Sequence, residues 1–483
     1  MRLIVGAEQP PMTAGTAQKP FRVLAGLATI GWLAIAAQAL WWPDSSHWPA
    51  RLGALVLGLA LVPAMLRGPQ PLLLLSPLTG FSFLCPVFYA IIPALTVGPF
   101  LSYSRVPVIE AAGRFLDGRG ELLVLQFAAM CAGAAALLVL ACRNRKDAIG
   151  SPWSEHGARH ASTGAAALCL LLAAVLAIRY RVPAVAAFME AGAGRQMLHG
   201  IPPLMSASVA VLFFAAAGRG RRRLALALAC GLVGAAALIS TATSKVSVYM
   251  LAAAFVLYCV TSRPRAIALA GAAAAALAVL CAATLYLAEI RSSYFSKDRP
   301  ETKSMSLGQR IGDALVYKIA ARQTETVSCF QRVVEGHLGS PGSGTPFYFL
   351  SAVVPRAVWP KKPNLSLGSA YALAYCGYRP QDMPADGSHS LSITLIGQPL
   401  MRAGLAGLAV AQIFAIVLLG LVSLGAAGIR VAGPVALAAL VPWLVDFDQS
   451  FALYVANGAK MFLYMLPVLV GVFWMQRRAD GHA

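Results

Sequence analysis

The sequence predicts an all-α fold: a polytopic transmembrane bundle of about twelve helical spans with one large loop on the outer side of the membrane. Of the 483 residues, 58% are hydrophobic and 12% are charged, whereas a soluble domain carries about 25% charged residues. Apolar runs of about 20 residues, long enough to cross a bilayer as helices, recur along the chain. The runs are continuous rather than alternating, which disfavours a transmembrane β-barrel. Together these observations exclude an ordinary soluble enzyme, a disordered scaffold and a collagen-like fibre.

The twelve predicted spans divide the chain into three parts. Residues 1–290 form an N-terminal membrane domain of about nine spans, residues 291–403 form the large outer loop, and residues 404–483 form a C-terminal membrane domain of about three spans. Pro77 and Pro86 predict a kinked or broken third span. The predicted spans are Phe21–Trp42, Leu52–Leu66, Pro71–Val97, Glu121–Cys142, Thr163–Ile178, Pro203–Ala217, Leu224–Thr241, Val246–Val260, Ala266–Leu287, Gly404–Leu424, Pro434–Val445 and Phe451–Met475.

The distribution of Lys and Arg predicts that both termini are cytoplasmic. With that orientation the inner loops hold 17 basic residues and the short outer loops hold 8, as the positive-inside rule expects. The strongest single anchor is the Arg-Gly-Arg-Arg-Arg run at 219–223. The net charge of +20 is therefore attributed to membrane topology and anionic lipid, not to nucleic-acid binding.

The large outer loop is itself basic, with 13 Lys and Arg against seven Asp and Glu over residues 291–403. Long exported segments escape the positive-inside rule, so this charge indicates an anionic ligand such as a pyrophosphate or an acidic sugar. Ser304–Val334 has helical periodicity and carries Arg310 and Arg322. It is either a surface helix with a solvated basic face or a lid over a membrane-embedded anionic substrate.

A second segment of the loop, Pro346–Pro363, combines apolar residues with Pro, Trp, Arg356 and Lys362. Trp prefers the membrane interface and Pro ends helices. The segment is expected to be a re-entrant or interfacial helix that places both cations at head-group depth. Plain interfacial anchoring is the alternative.

Two segments carry a resemblance to a known family. Pro355–Pro363 (PRAVWPKKP) resembles the PR-x-x-W-P-x-K-P segment of bacterial oligosaccharide repeat-unit polymerases, the Wzy-type O-antigen and exopolysaccharide polymerases. Ser390–Thr394 followed by Gly397–Gly407 is similar to the Ser/Thr-rich stretch and G-E-x-x-x-x-x-G-x-x-G pattern that follow it there. Gln398 stands where that pattern often has Glu, and Arg402 lies near an expected aromatic residue or Asn. The layout of many spans with one late outer loop is also that of the family.

The resemblance implies a fold similar to the membrane-embedded (GT-C-like) glycosyltransferases, working without metal or cofactor in the bacterial inner (cytoplasmic) membrane. The growing glycan would leave its undecaprenyl pyrophosphate carrier and join a new carrier-linked repeat unit at the periplasmic face. The expected partners are this lipid-linked oligosaccharide, membrane lipid, a flippase and a chain-length regulator.

The same resemblance suggests which residues act. A pyrophosphate leaving group needs positive charge, which Arg supplies as a bidentate contact and Lys as a point charge. A hydroxyl acceptor benefits from a base, for which His389 or Asp386 is expected. Arg181 and Gly192 have the R-x10-G spacing discussed for some of these polymerases. The expected pyrophosphate-binding residues are Arg195, Arg356 and Lys362, then Arg310 and Arg322, and Arg181.

Other interpretations stay open at this stage. An O-antigen ligase performs the same chemistry with lipid A core as acceptor, and a lipid-linked-sugar flippase or transporter is a third class. Asp446 and Asp448 form a D-x-D pattern that could hold a metal, although a polar loop tip is favoured. Lys460 is predicted at mid-bilayer depth, where a charge is costly and often functional. Cys329 and Cys376 could form a disulfide in the oxidising periplasm.

Overall fold

The computed structural model describes residues 46–67, 71–96, 106–142, 153, 155–190, 192–240, 244–262, 322–338, 344–354, 359, 368–378, 393–429 and 431–480. Over these ranges the chain is helical, with turns and no β-strand. The α-helices are α1 (Trp48–Arg67), α2 (Pro77–Pro86), α3 (Ile92–Thr96), α4 (Val106–Phe115), α5 (Arg119–Ala141), α6 (Glu155–Arg181), α7 (Pro183–Glu190), α8 (Gly192–Ala216), α9 (Arg221–Ser240), α10 (Ser244–Ser262), α11 (Arg322–His337), α12 (Leu350–Val353), α13 (Gly368–Tyr375), α14 (Gly397–Gly428), α15 (Ala432–Leu444) and α16 (Phe451–Asp480).

Eight helical stretches in the described ranges are long and apolar enough to cross a membrane, so the chain is a multi-pass membrane protein. They include Lys245–Ser262, which the sequence predicted as one of its shorter spans. Trp48–Leu61 and Ala432–Leu444 are shorter apolar helices at the positions of two further predicted spans. The remaining two, Phe21–Trp42 and Ala266–Leu287, lie outside the described residues, and the total of twelve stays a prediction.

The predicted break in the third span is present. A 3-10 turn (Pro71–Leu75) precedes α2, Pro77 lies at the start of α2, and a π turn (Val87–Ile91) follows Pro86. Proline has no N–H to donate, so Pro86 leaves the carbonyl of Ser82 without its helical partner. Gly58 of α1 packs at that carbonyl, where a Cβ would come within 2.8 Å of the oxygen. The two helices therefore approach closely where the helical hydrogen bonding changes.

The contacts sort the helix ends into two groups. We call the end that carries residues 46–48, 116–121, 244–248, 344–354, 393–404 and 445–451 the loop end. It is held together by bonds such as Leu395 N–H to the Phe447 carbonyl, 2.9 Å, and Gly344 N–H to the Arg402 carbonyl, 2.9 Å. The opposite end, which we call the basic end, carries the turn 217–220 and the start of α6. Two charged clusters and the described segments of the predicted outer loop lie at the loop end.

A disulfide cross-links two segments of the predicted outer loop. Cys329 of α11 and Cys376, just after α13, are bonded, with their Cα atoms 4.8 Å apart. Around this bond His337 hydrogen-bonds the Tyr375 hydroxyl at 2.6 Å. In addition, the Tyr378 hydroxyl donates to Glu325 at 2.5 Å. The disulfide that the sequence left open is thus present, and the two helices form one cross-linked unit at the loop end.

Helix α11 connects this unit to the bundle. Arg114 of α4 pairs with Glu335 of α11 at 2.8 Å, and this hydrogen bond holds the pKa of Glu335 below its usual value. The helical prediction for Ser304–Val334 is confirmed for the part from Arg322 onward, and residues 304–321 lie outside the described residues.

Only part of the interfacial helix expected in Pro346–Pro363 lies within the described residues. A turn at residues 346–349 leads into the four-residue helix α12, and residues 355–358 and 360–363 are not among those described. Phe349 is fully buried, with its ring 4.8 Å from those of Phe414 and Phe451. The segment therefore anchors the loop in the aromatic core between α14 and α16.

Candidate functional site

The segment Gly397–Gly407, which carried part of the sequence resemblance, forms a broken helix. Inside α14, Ala403 (φ −139°, ψ 22°) and Gly404 (φ 59°, ψ −152°) have non-helical dihedrals. The Gly404 conformation is one that essentially only glycine adopts. The other two glycines are required by space: a Cβ at Gly397 would lie 2.9 Å from Thr394 Oγ1, and one at Gly407 would lie 2.6 Å from the Ala403 Cβ. Gly404 thus allows the helix to break, and Gly397 and Gly407 allow the close packing around the break.

Gln398, at the motif position that often holds Glu, accepts two hydrogen bonds through its side-chain oxygen. The donors are the backbone N–H of Ala452 at 2.9 Å and the hydroxyl of Tyr348 at 3.1 Å. Gln398 is 1% exposed, and it joins α14, α16 and the segment before α12. A carboxylate could accept the same two bonds, so the observed role requires an oxygen but no charge.

Arg402 lies immediately before the break and has no counter-charge among the residues that the structure describes. Within the same residues, its buried Nε has no hydrogen-bond acceptor. No ion pair to Arg402 occurs within the described ranges. The residue is half-buried. Leaving a buried charged donor unpaired costs about 1–3 kcal/mol or more, so Arg402 is suited to an anion that binds from outside the protein.

Tyr348 is the polar neighbour of this guanidinium. Burial raises the pKa of Tyr348, and the positive charge of Arg402 offsets part of that rise. The phenol therefore stays protonated at physiological pH and can keep donating to Gln398. Arg402, Tyr348 and Gln398 form the candidate anion site at the loop end.

The entry to α14 is strained. Thr394 has φ +66°, a genuine outlier for a β-branched residue, and its hydroxyl accepts the N–H of Gly397 at 3.0 Å. The bond from Leu395 to Phe447 fixes the next residue. Strain of this kind persists only where the surroundings enforce it, which here are the start of the broken helix and the turn between α15 and α16.

A second cluster, centred on Lys245, joins three elements at the same end. Its amine lies 2.6 Å from Asp446 and 2.5 Å from Asp448, and Asp448 also accepts the Tyr89 hydroxyl, which lies on the π turn. Both carboxylates belong to the D-x-D pattern. They are not a free loop tip, because Asp448 is only 5% exposed. Because Lys245 occupies the space between them, they lack the free negative charge that a divalent metal needs.

A third cluster was not predicted from the sequence. The guanidinium of Arg51 donates to both oxygens of Glu121, at 2.5 and 2.9 Å, and to Asp117 at 3.0 Å. His47 Nδ1 lies 3.0 Å from Glu121. Among the described residues, His47, Asp117 and Glu121 are close enough together to hold a metal. Arg51 already neutralises the carboxylates, however, so the cluster is better explained as a buried ion pair joining α1 to the start of α5.

Most of the predicted site residues lie outside the described residues: Arg310, Arg356, Lys362, Asp386 and His389. The backbone positions of the other three are known. Arg322 begins α11, Arg181 ends α6 and Arg195 lies in the first turn of α8, but their side chains are not described. The structure therefore neither brings these predicted residues together nor separates them. Lys460 lies in α16 with its amine 5.6 Å from the ring centre of Tyr464.

Arg402 is the functional candidate that sequence reasoning did not select. The sequence did contain an indication, because Arg402 lies two residues before the motif glycine Gly404. In the sequence analysis Arg402 counted only as a departure from the family pattern, because the helix break at residues 403–404 cannot be recognised from the sequence.

No protein-family model, curated protein or solved structure matches the chain.

Proposed function

We propose that the protein is a polymerase of undecaprenyl-pyrophosphate-linked oligosaccharide repeat units. It transfers the growing glycan from its lipid carrier to a new lipid-linked unit at the periplasmic face of the inner membrane, without a metal. The proposal begins from the sequence resemblance of Pro355–Pro363 and Ser390–Gly407. The observation that carries it further is Arg402, a cation at the break inside the second of these segments. It has no ion-pair partner in the part of the chain that the structure describes.

The chemistry requires an anion site of this kind. When the glycan leaves, negative charge develops on the pyrophosphate, and a fixed guanidinium stabilises it most effectively where water is partly excluded. Arg402 has the right charge and a buried Nε donor with no acceptor among the described residues. It also lies at the loop end of a helix long enough to span the membrane. We assign it to the pyrophosphate. Arg195, Arg356, Lys362, Arg310, Arg322 and Arg181 are the further proposed contacts, and His389 or Asp386 the proposed base.

The side of the membrane is supported by the disulfide. A bond between Cys329 and Cys376 forms and persists in an oxidising compartment and is rare in the cytosol. The loop end would then face the periplasm, where carrier-linked units are extended. The basic end would face the cytoplasm, in agreement with the distribution of Lys and Arg.

The test measures glycan chain length in cells that carry only a plasmid copy of the gene. The Arg402→Gln variant should lower the rate of chain extension by about 10²- to 10³-fold, the range for loss of one transition-state donor, and single repeat units should accumulate on the carrier. Arg402→Lys should retain part of the activity, because it keeps the charge but loses the planar donor. Arg119→Gln removes an exposed Arg at the same end and should leave chain length unchanged.

The possible outcomes distinguish an error in the assignment of Arg402 from an error in the proposed activity. Normal chain length in Arg402→Gln cells contradicts the assignment of Arg402. Normal chain length after deletion of the gene contradicts the polymerase. If deletion leaves full-length glycan on the carrier but none on lipid A core, the protein is a ligase instead.

A further inference from the structure

The basic end also contains a cluster of charged residues, which we call the basic corner. It consists of Trp153, Glu155, Arg219, Arg221, Arg222 and Arg223, where the loop before α6 meets the turn between α8 and α9. Arg219 donates to the carbonyl of Trp153 and lies 3.7 Å from Glu155. Arg223 donates to the same carboxylate. Two guanidinium groups thus share the carboxylate of Glu155, which is itself 76% exposed. Arg221 and Arg222 add two more cations beside them, with no ion pair to either among the described residues.

The backbone adds to this excess of positive charge. Arg221, Arg222 and Arg223 occupy the first turn of α9, which contains no acidic residue. The first N–H groups of a helix lack intrahelical acceptors, and the helix dipole places partial positive charge there. Three cations at this position are unfavourable without an anion. The charges also act on one another: burial, followed by the nearby Arg223, lowers the pKa of Arg219.

Two buried donors in the corner have no acceptor among the described residues. Trp153 is 3% exposed, and its ring packs edge-on against Phe214 at 5.5 Å. Within the part of the chain that the structure describes, its indole Nε1 has no hydrogen-bond partner, and neither does Nη1 of Arg223. Buried donors are nearly always satisfied in native proteins, so two unsatisfied ones in a single basic cluster indicate a missing acceptor.

The position of the corner indicates where that acceptor comes from. The spanning stretch Leu198–Ala216 ends just before the turn, and the next, Arg221–Ile239, begins just after it. The turn therefore lies at the depth of the lipid head groups. We propose that the basic corner binds the phosphate of an anionic phospholipid in the adjoining leaflet. Arg222 and Arg223 contact the phosphate, and the Trp153 N–H donates to one of its oxygens.

The test uses the full-length protein in neutral detergent, mixed with equal amounts of phosphatidylglycerol and phosphatidylcholine. Native mass spectrometry then measures which lipid stays bound. The wild type should retain phosphatidylglycerol preferentially. Each lost guanidinium should reduce that preference about fivefold, so Arg222→Gln, which removes an exposed side chain, is the first variant. Trp153→Phe keeps the ring and removes only the N–H, and should also reduce the preference.

Arg119→Gln, at the loop end, is the matched control for net charge. An equal loss of preference in this control, or an unchanged preference in both Arg222→Gln and Trp153→Phe, overturns the proposal. So does a wild type that retains the two lipids equally. Excess inorganic phosphate should displace little phosphatidylglycerol, since the lipid chains also contribute to binding. Complete displacement would mean that the corner binds a free anion rather than a lipid.

Discussion

The side-chain oxygen of Gln398 accepts the backbone N–H of Ala452 at 2.9 Å, and so joins the first turn of α14 to the first turn of α16. The same oxygen accepts the hydroxyl of Tyr348 at 3.1 Å. One amide thus fixes the helix that carries Arg402 relative to the C-terminal span and to the outer loop. This relationship explains why a polar side chain is buried here, and it gives the first prediction.

Replacing Gln398 with Leu should destabilise the protein by about 2 kcal/mol, because it leaves two buried donors without an acceptor. Gln398→Glu keeps an oxygen for both donors and should lose less stability than Gln398→Leu. The measurement is the apparent Tm in detergent. Equal Tm values for Gln398→Leu and the wild type would show that the two hydrogen bonds contribute nothing.

The buried pair of Arg51 and Glu121 gives the second prediction. Both side chains are at most 2% exposed, and removing one partner leaves an uncompensated charge that costs about 3–5 kcal/mol. Arg51→Met and Glu121→Leu should each lower the apparent Tm strongly, and the double variant should be more stable than either single one. The exposed pair Arg114–Glu335 is the control. There Arg114→Met should cost less than about 1 kcal/mol, and a similar loss at both pairs would contradict the importance of burial.

The sequence predicted the membrane-spanning elements well and the charged clusters poorly, for a physical reason. A span is a local property of about 20 apolar residues, and the break near Pro86 follows from the missing N–H of one residue. Arg51, by contrast, was predicted to be an ordinary charged residue of a short loop. Its partner Glu121 lies 70 positions away in the sequence, so the ion pair could not be recognised there. The D-x-D pattern was treated as a loop tip because Lys245, about 200 positions earlier, cannot be recognised as its counter-ion from spacing alone.

The candidate site, too, could be predicted from the sequence only in part. The glycines at 397, 404 and 407 were recognised as a motif, but the sequence does not show why glycine is required at these positions. Only the structure shows that Gly404 has a positive φ and that the other two lie in close contacts. Arg402 became a candidate because its Nε is buried without an acceptor in the described ranges, a property that no residue pattern reveals.

The disulfide gives the third prediction. Cys329 and Cys376 close a loop with a sequence separation of 47, which in the chain-entropy model stabilises the folded state by about 4 kcal/mol. Thiol labelling of unfolded protein from intact, alkylated cells should show both cysteines unreactive until a reductant is added. Cys85, a free and buried cysteine, should label on unfolding without reductant. Labelling of Cys329 before reduction would place the loop in a reducing compartment and contradict the orientation proposed here.

The fourth prediction concerns the two carboxylates held by Lys245. With the amine 2.6 Å from Asp446 and 2.5 Å from Asp448, these two carboxylates are not free to bind a cation, so Ca²⁺ should not raise the apparent Tm of the wild type through them. Lys245→Met removes the charge at similar length and leaves two acidic groups facing each other. The variant should be destabilised by about 3 kcal/mol or more, and Ca²⁺, which binds carboxylate oxygens at about 2.3–2.6 Å, should recover part of that loss.

The control for this effect is the double variant Lys245→Met with Asp448→Asn, in which only one carboxylate remains and Ca²⁺ should give little recovery. If Ca²⁺ stabilises the wild type as much as Lys245→Met, the carboxylates are already open to a cation, and the D-x-D pattern is a metal site after all. In that case EDTA should also abolish chain extension. With Lys245 in the position found here, chain extension should instead survive EDTA, because the charge that a metal would supply is already provided by the amine.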